Sequence, residues 1–485
     1  MNDITSASYR VGNDLLRERL DRLLAGPIDP EKPFVIGAST YGALYQLAAH
    51  IRTACMADVA PVCLCAQDKT VVAAALLAAL AGGPTLILPY AFDELVLDEL
   101  QRLTGFRTLV SDISRPLSAG VRCLVPASGQ ATWRAADAAA PKPLDAPWLR
   151  LFTGGSTGAP KMWTKSVRNL LAETMAIITN YEVGGQDRIL ATVSPNHIYG
   201  LLYAVLTPLL ASAAVAAQTP SFPGEIEAAG RQTSASILVS VPAHYRALIG
   251  HRLVLPALRL AFSSAGMLAE EDANAFSAQT GVAVAEIYGS TETGGIAARA
   301  RALGEKDFKP YPAIAVRIAG DQLAVRSDYL SSELALESDG YYVMGDRVQA
   351  MGNGRFALLG RADGIVKVGG RRVDLESVRQ TLKRQPGVRD AVAISLPVGG
   401  GRENRIVAVV EADRATLDLG GEALSGLAPY ARPRGIKVLP KIPMTAAGKY
   451  DRRTIAAMFQ SGGLAAEGII VPGAAQGGED EKEKG

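Results

Sequence analysis

The sequence predicts an α/β protein: a large N-terminal domain of layered, mainly parallel sheets with a small barrel-like element, then a small, mobile α+β C-terminal domain. Three observations predict it. Up to about Asp307, short apolar runs alternate with helical patterns, as parallel strands with crossover helices require. After Asp307 the apolar runs shorten and are bounded by turn residues. Beyond Asp363 a hairpin, a helix and two strands form a compact set that ends near Gln460.

Taken in chain order, Val62-Cys63-Leu64-Cys65 reads as a core strand. The apolar run 71–92 is broken by Gly82-Gly83-Pro84, so it reads as a buried helix followed by a strand at 85–89 and not as a membrane span. Thr108-Leu109-Val110 is the next strand, and 167–180 has a helical pattern. Further strands are expected at 188–193, 237–241 and 258–262. The apolar run 201–217 is interrupted by Pro208 and is also short of a span. The barrel-like element is expected from strands at 315–318, 322–325 and 340–343. The C-terminal set comprises a hairpin over 365–373, a helix over 375–385, and strands at 391–394 and 406–411. Residues 461–485, rich in Gly, Ala, Glu and Lys, have little to bury and are expected to be a disordered tail. The domains are therefore 1–362, 363–460 and the tail 461–485.

Composition narrows the function. A chain of 485 residues that is 48% hydrophobic buries a large core and makes more than one domain. Its 50 Lys and Arg against 48 Asp and Glu leave +2, so nothing recommends nucleic acid or an acidic membrane as partner. Cys55, Cys63, Cys65 and Cys123 lack CxxC spacing and read as buried hydrophobes of a reducing compartment. Residues 1–10 lack the basic start and apolar core of a secretory signal, so a cytoplasmic location is expected.

The chemistry concentrates in Thr153-Gly154-Gly155-Ser156-Thr157-Gly158-Ala159-Pro160-Lys161. Glycines let successive N–H groups converge on an anion, hydroxyls add neutral donors, and a Lys supplies a mobile charge, which is what gripping a polyphosphate requires. A flexible surface loop has the same composition. The common P-loop places Lys directly after its last Gly and Ser or Thr after that Lys. Here Ala159-Pro160 intervene and Met162 follows, which argues against a P-loop NTPase.

The run instead resembles the phosphate loop of the acyl-adenylate-forming superfamily, which includes acyl-CoA synthetases, peptide-synthetase adenylation domains and luciferases. Four more segments resemble that family in the right order: Glu286-Ile287-Tyr288-Gly289-Ser290-Thr291-Glu292-Thr293, Tyr342-Val343-Met344-Gly345-Asp346, the stretch from Gly360-Arg361-Ala362-Asp363 to Gly369-Gly370-Arg371-Arg372-Val373, and Pro443-Met444-Thr445-Ala446-Ala447-Gly448-Lys449. The resemblance spans most of the chain.

It implies a role for each matching residue. Thr157 and its neighbours Thr153, Gly154, Gly155, Ser156 and Gly158 would hold the β- and γ-phosphates of ATP, assisted by Lys161. Glu292 would be the magnesium ligand, and Thr291 would reach the α-phosphate. Tyr288, beside Gly289, would stack on adenine, unless it is an ordinary core aromatic. Asp346 would bind the ribose hydroxyls, and Arg361 ribose or phosphate oxygens. Asp363 would be the hinge. Lys449 would bridge the substrate carboxylate and ATP, and Gly369-Gly370 would approach the pantetheine arm. His197 resembles a gate beside the acid pocket, and Ser264-Ala265-Gly266 a segment lining that pocket and touching adenine. His50, His244 and His251 receive no role. Gly155 stands where the family usually has Ser, and Met162 where it has Gly; the first loses a hydroxyl from the phosphate grip.

The resemblance implies an enzyme that uses ATP and Mg2+ to convert a small carboxylic acid to an acyl-AMP, then passes the acyl group to the pantetheine thiol of CoA. An acyl carrier protein is the alternative acceptor, favoured by any salt-sensitive docking through Arg371, Arg372 or Arg384. A nucleotide-binding homologue without catalysis is the reading from a different class. The acid itself is not legible, although His197, Tyr199 and nearby glycines suit a compact one.

Overall fold

The computed structural model describes residues 2–5, 11–127, 132–133, 141–153, 160–361, 364–368, 371–398, 403–413, 424, 427–445, 448–460 and 469–470. The chain divides into two compact units. The first holds Met1–Met344 and Gln349–Ala357, the second Gly345–Val348 and Leu358–Gly485. The division thus precedes the boundary expected at 362/363 and assigns one short internal segment to the second unit.

The first unit is built on two large sheets. The nine-stranded sheet runs in the order Lys309–Pro310, Gly294–Arg299, Val284–Ser290, Leu260–Ser263, Ile237–Ser240, Arg188–Ala191, Ala214–Ala216, Pro33–Ile36, Ser39–Thr40. Its pairings from Val284–Ser290 through Pro33–Ile36 are all parallel, and both edges are closed by antiparallel strands. The six-stranded sheet runs Arg122–Leu124, Thr108–Ser111, Val62–Cys65, Leu86–Leu88, Pro147–Thr153, Lys161–Ser166, parallel except for its last pair. Strands such as Val62–Cys65 and Ile237–Ser240 are buried at every position, because a parallel sheet covered on both faces leaves no polar side.

Every residue of the helix Lys69–Leu80 is buried, and it touches both Leu86–Leu88 of one sheet and Pro33–Ile36 of the other. That placement explains the continuous apolar run: a helix buried all round needs no polar stripe. Asp68 starts it by accepting from the amides of Thr70 and Val71. No helix among the described residues is long and apolar enough to cross a membrane. The second apolar run folds as Ile198–Leu201, a π-turn Leu202–Leu206, Thr207–Ala211 and the strand Ala214–Ala216.

Where a barrel-like element is expected there is a five-stranded sheet in the order Asn2–Thr5, Ala315–Ala319, Gln322–Arg326, Tyr342–Met351, Arg355–Arg361. Asn2–Thr5 and Gln322–Arg326 both run antiparallel to Ala315–Ala319. The edge strand Asn2–Thr5 is not foreseen from its polar sequence, and the expected strand at 340–343 starts two residues later and is much longer.

In the second unit the hairpin Ile365–Val368/Arg371–Asp374 leads into the helix Leu375–Lys383 and a four-stranded sheet, Val388–Val398, Glu403–Ala412, Gly435–Leu439, Ile469–Ile470. Alternate residues feed two cores. Ala391, Ala393, Ile406, Ala408 and Val410 pack with Val378 and Leu382 of that helix. Val392, Ile394, Val407 and Val409 pack on the other face with Ile455 of the helix Arg452–Gln460. Ile469–Ile470, inside the stretch expected to be a disordered tail, pair with Ile436 and Lys437; the rest of 461–485 lies outside the described residues. Cys55, Cys63 and Cys65 are buried and Cys123 partly so, all with free thiols.

Lys69 departs from the apolar pattern of its helix. It is 2% exposed, and its ammonium donates to the carbonyls of Ala217 (3.0 Å) and Gln218 (3.1 Å) and to the Thr219 hydroxyl (3.2 Å). Burial lowers its pKa from the ordinary 10.5 to about 8, opposed by Asp68. A folded pKa below the unfolded one means that the native state binds fewer protons between those values, so stability from this group rises with pH across the window. In urea denaturation, wild type should therefore gain stability relative to Lys69→Met between pH 8 and 10.5. A difference that is flat with pH would contradict this.

Candidate active site

The carboxyl ends of the parallel strands gather the polar residues of the first unit, as open α/β sheets do where ligands bind. After Arg188–Ala191, the Thr192 hydroxyl lies 2.8 Å from the Ser240 hydroxyl and 2.7 Å from Nδ1 of His244. Ser194 and Asn196 reach across to the other sheet's carboxyl end. The Ser194 hydroxyl donates to Gln67 (3.3 Å), and the Asn196 amide to the carbonyl of Ala66 (2.8 Å). Half-buried His197 caps the short helix Ile198–Leu201. Gly200 is dictated by space, since a Cβ there would overlap the carbonyl of Ser194. Ser264 donates to the carbonyl of Ile287 (3.0 Å), and Ala265 adopts φ +69°, a left-handed turn that swings the chain off Leu260–Ser263 toward Gly266.

Aromatic rings floor this region. Tyr199 packs edge-on against Tyr203 (5.0 Å), Tyr203 against Phe262 (4.9 Å), Phe262 against Tyr181 (4.6 Å) and Tyr181 against Tyr311 (6.4 Å). The Tyr199 hydroxyl donates to the carbonyl of Ser240 (3.2 Å), and those of Tyr181 and Tyr311 are 2.8 Å apart. Burial raises the Tyr199, Tyr203 and Tyr311 phenols well above their usual range, and pushes Tyr181 up to about 12.

Thr291 and Glu292 sit at the tip of a turn between Val284–Ser290 and Gly294–Arg299. The turn is knotted by Ser290 and Thr293, whose hydroxyls lie 2.9 Å apart while each accepts from the other's amide. A bulge falls at Tyr288/Gly289, where a Cβ on Gly289 would overlap the carbonyl of Gly294. Tyr288 lies among aromatics, 5.5 Å from Phe308 and 5.8 Å from Phe356, and remains partly exposed.

Thr153 and Lys161 are the last pair of the hairpin formed by Pro147–Thr153 and Lys161–Ser166. Gly154, Gly155, Ser156, Thr157 and Gly158 lie outside the described residues. Thr153 accepts from the Trp163 indole (3.3 Å), and Lys161 is exposed.

Two residues that sequence reasoning missed tie this hairpin, and the helix that follows it, to the turn. Lys165 is completely buried and donates to the carbonyls of Glu292 (3.1 Å) and Tyr329 (2.7 Å). Burial lowers its pKa to about 8 against the pull of Glu173, Glu292 and Glu333. Glu173, in the helix Val167–Asn180, accepts from the amide of Gly295 (2.6 Å), and burial raises its carboxyl. Sequence signals were faint: Lys165 sits in the polar run Thr164-Lys165-Ser166, and only the apolar neighbours of Glu173, Leu170-Leu171-Ala172, mark it as inward-facing.

In the second unit, Asp346 and Arg361 come together, with 3.7 Å between carboxylate and guanidinium. A Cβ on Gly345 would lie 2.9 Å from Nη2 of Arg361, so glycine leaves the guanidinium room. Lys449 is exposed on a tight turn in which the Thr445 amide donates to the Lys449 carbonyl (2.7 Å) and the Gly448 amide to the Thr445 carbonyl (2.9 Å). Asp363, Gly369 and Gly370 lie outside the described residues, as do the side chains of Arg371 and Arg372.

Among the described residues no three His, Cys, Asp or Glu side chains cluster as a metal cage. Glu292 is a single carboxylate on a backbone held by Lys165 and by the Ser331 amide (2.8 Å). That donor set fits a magnesium ion arriving on a polyphosphate, which takes few carboxylates and keeps phosphate and water oxygens.

Asp346 thus lies within the strand Tyr342–Met351 and Lys449 on a turn, and comparison with known proteins identifies the family. The family model for AMP-binding enzymes matches residues 36–344. The chain belongs to the AMP-binding enzyme family. This member is 27% identical over 349 residues to a sulfoacetate–CoA ligase of Cupriavidus necator, covering 65% of this chain and 68% of that one. It is 31% identical over 306 residues to a 4-coumarate–CoA ligase of Cereibacter sphaeroides, covering 61% and 68%. The fold superposes on ATP-bound MatB from Rhodopseudomonas palustris with a TM-score of 0.77, at 22% identity, covering 91% of this chain and 99% of that one.

Because Gly289 abuts backbone and not a flexible side chain, Gly289→Ala should destabilise the AMP-binding unit by about 1–3 kcal/mol. Chemical denaturation of the variant beside wild type measures this, and an unchanged midpoint would show that the bulge can relax.

Proposed function

We propose that the chain is an AMP-forming acid–CoA ligase. A carboxylate oxygen attacks the α-phosphorus of ATP, the α–β phosphoanhydride bond breaks, and pyrophosphate leaves. The CoA thiol then attacks the acyl carbon, a proton is lost from sulfur, and AMP leaves. The observation that carries this reading is the joining of the Thr291–Glu292 turn to the strand Lys161–Ser166 through Lys165. The sulfoacetate and 4-coumarate ligases differ in acid and share CoA thioester formation, which supports the common reaction over either acid.

The roles follow the chemistry. Carboxylate and ATP are both anions, so catalysis rests on neutralising charge and aligning reactants. We assign the β- and γ-phosphates to Thr153–Thr157, Gly158 and Lys161, magnesium to Glu292, and the α-phosphate to Thr291. Asp346 takes the ribose hydroxyls, with the Arg361 guanidinium beside it to orient the carboxylate as an acceptor. Tyr288 and Ser264–Gly266 border adenine, and His197 the acid. Lys449 supplies the charge that bridges the carboxylate and ATP, and Gly369-Gly370 serve the pantetheine arm. Asp363 is the hinge between domains 1–362 and 363–460.

An acyl carrier protein as thiol donor is the second reading. Arg384, Arg389, Arg434 and Lys441 are exposed in the second unit, a charge pattern suited to an acidic partner.

Pyrophosphate release should require an added carboxylic acid, and AMP release should require CoA, when the full chain is screened with a panel of acids. Lys449→Ala should slow pyrophosphate release roughly 100- to 1000-fold, the loss typical of a group that stabilises developing charge. It should leave thioester formation from a supplied acyl-AMP nearly unchanged. No acid-dependent release from any acid would overturn the ligase reading, and release accepted only by a carrier protein would establish the second.

A further inference from the structure

We propose that Lys165 is a positioning residue for adenylation: its ammonium pins the turn that presents Thr291 and Glu292 to the strand that leaves the phosphate loop. The inference rests on the ligase reading for what the turn does, and on geometry alone for how it is held.

Lys165 lies four residues beyond Lys161, on the strand Lys161–Ser166, and is 0% exposed. Its ammonium binds two backbone carbonyls from separate parts of the chain, Glu292 in the turn and Tyr329 beyond the nine-stranded sheet. An apolar side chain of the same length would fill this space without the cost of burying an ammonium. The cation therefore does something that filling does not: it gives the carbonyl of Glu292 a charged donor at a fixed place.

Glu173 holds the other end of the same turn. One carboxylate oxygen accepts from the amide of Gly295 at 2.6 Å, while the other is buried without a hydrogen-bond partner among the described residues. Gly294 has φ +70°, and a Cβ there would come within 2.7 Å of that second oxygen and 2.9 Å of Cβ of Tyr329. A third contact joins the same parts, since the amide of Thr164 donates to both oxygens of Glu333 (3.1 and 2.9 Å). The segment after the phosphate loop thus grips the turn at the carbonyl of 292 and the amide of 295. Phosphate loop flank and magnesium ligand move as one body, so the spacing between the groups that take one polyphosphate is set before it binds.

The test uses the full chain and two variants. Lys165→Met removes the donor. Lys165→Arg keeps charge and donors, but its larger planar head displaces both carbonyls. For Lys165→Met we expect the magnesium concentration giving half-maximal pyrophosphate release to rise about tenfold, the usual effect of losing a group that orients a metal ligand. We expect kcat for adenylation to fall roughly 100-fold, as for an ångström-scale misplacement. Lys165→Arg should shift the magnesium dependence in the same direction by less than Lys165→Met does. Thioester formation from supplied acyl-AMP, and the rise in melting temperature given by AMP without magnesium, should stay near wild type. The rise given by magnesium with ATP should shrink.

Should Lys165→Met fail to melt cooperatively, Lys165→Arg decides. A folded variant with wild-type magnesium dependence overturns the proposal, as does a loss shared equally by adenylation and the thioester step. If wild type releases no pyrophosphate with any acid, the ligase reading fails. The magnesium-dependent melting shift still tests the positioning role.

Discussion

The bond between the Lys165 ammonium and the carbonyl of Glu292 is the interaction on which the rest of the candidate site depends. It is formed in the interior, where a charged donor is strong and its loss is not made good by water. Within the turn, the Ser290–Thr293 hydroxyl pair supplies internal order and does not itself attach the turn to the sheet. Lys165, Glu173 and the Ser331 amide make that local order an order relative to the sheet. The backbone that carries the turn's carboxylate, Glu292, is thereby held from the core.

Parallel pairing supplies the frame. Strands that all point one way must all leave the sheet at the same end, so Thr192, Ser240, Ser264 and Tyr288 meet although they are far apart in sequence. The antiparallel strands at the sheet edges belong to the same arrangement: Gly294–Arg299 returns beside Val284–Ser290, and the reversal between them is the turn bearing Glu292. Glycine appears where two backbones come too close for a Cβ, at Gly200 and Gly289, and both positions flank residues assigned to the chemistry.

Much of this was legible in the sequence. Val62–Cys65 and Val167–Asn180 were read to the residue, because an uninterrupted apolar run and a capped amphipathic pattern are local signals. The strand read as 391–394 is Val388–Val398, since Arg389, Asp390, Ser395 and Pro397 interrupt the apolar run while pairing with Glu403–Ala412 carries the strand on, which no local pattern reveals. Asn2–Thr5 and Ile469–Ile470 escaped for the same reason, being edge strands that exist through their partners. At the site, the motif residues were readable as motifs. Lys165, Glu173 and His244 were not, because an isolated Lys, Glu or His becomes informative only when its burial and partners are known. The pairing of Asp346 with Arg361 joins two motifs read separately.

The aromatic floor from Tyr199 to Tyr311 has a consequence for the medium in which charge develops. Its phenols are neutral across the pH range in which proteins work, since burial holds each well above its ordinary ionisation. The floor presents polarisable rings and hydrogen-bonded hydroxyls to the region above it. A wall of that kind lowers the local dielectric, and a given pair of charges at a given separation then attracts several times more strongly than in bulk solvent. The few cations and amides near an anionic reactant thereby count for more than their number suggests.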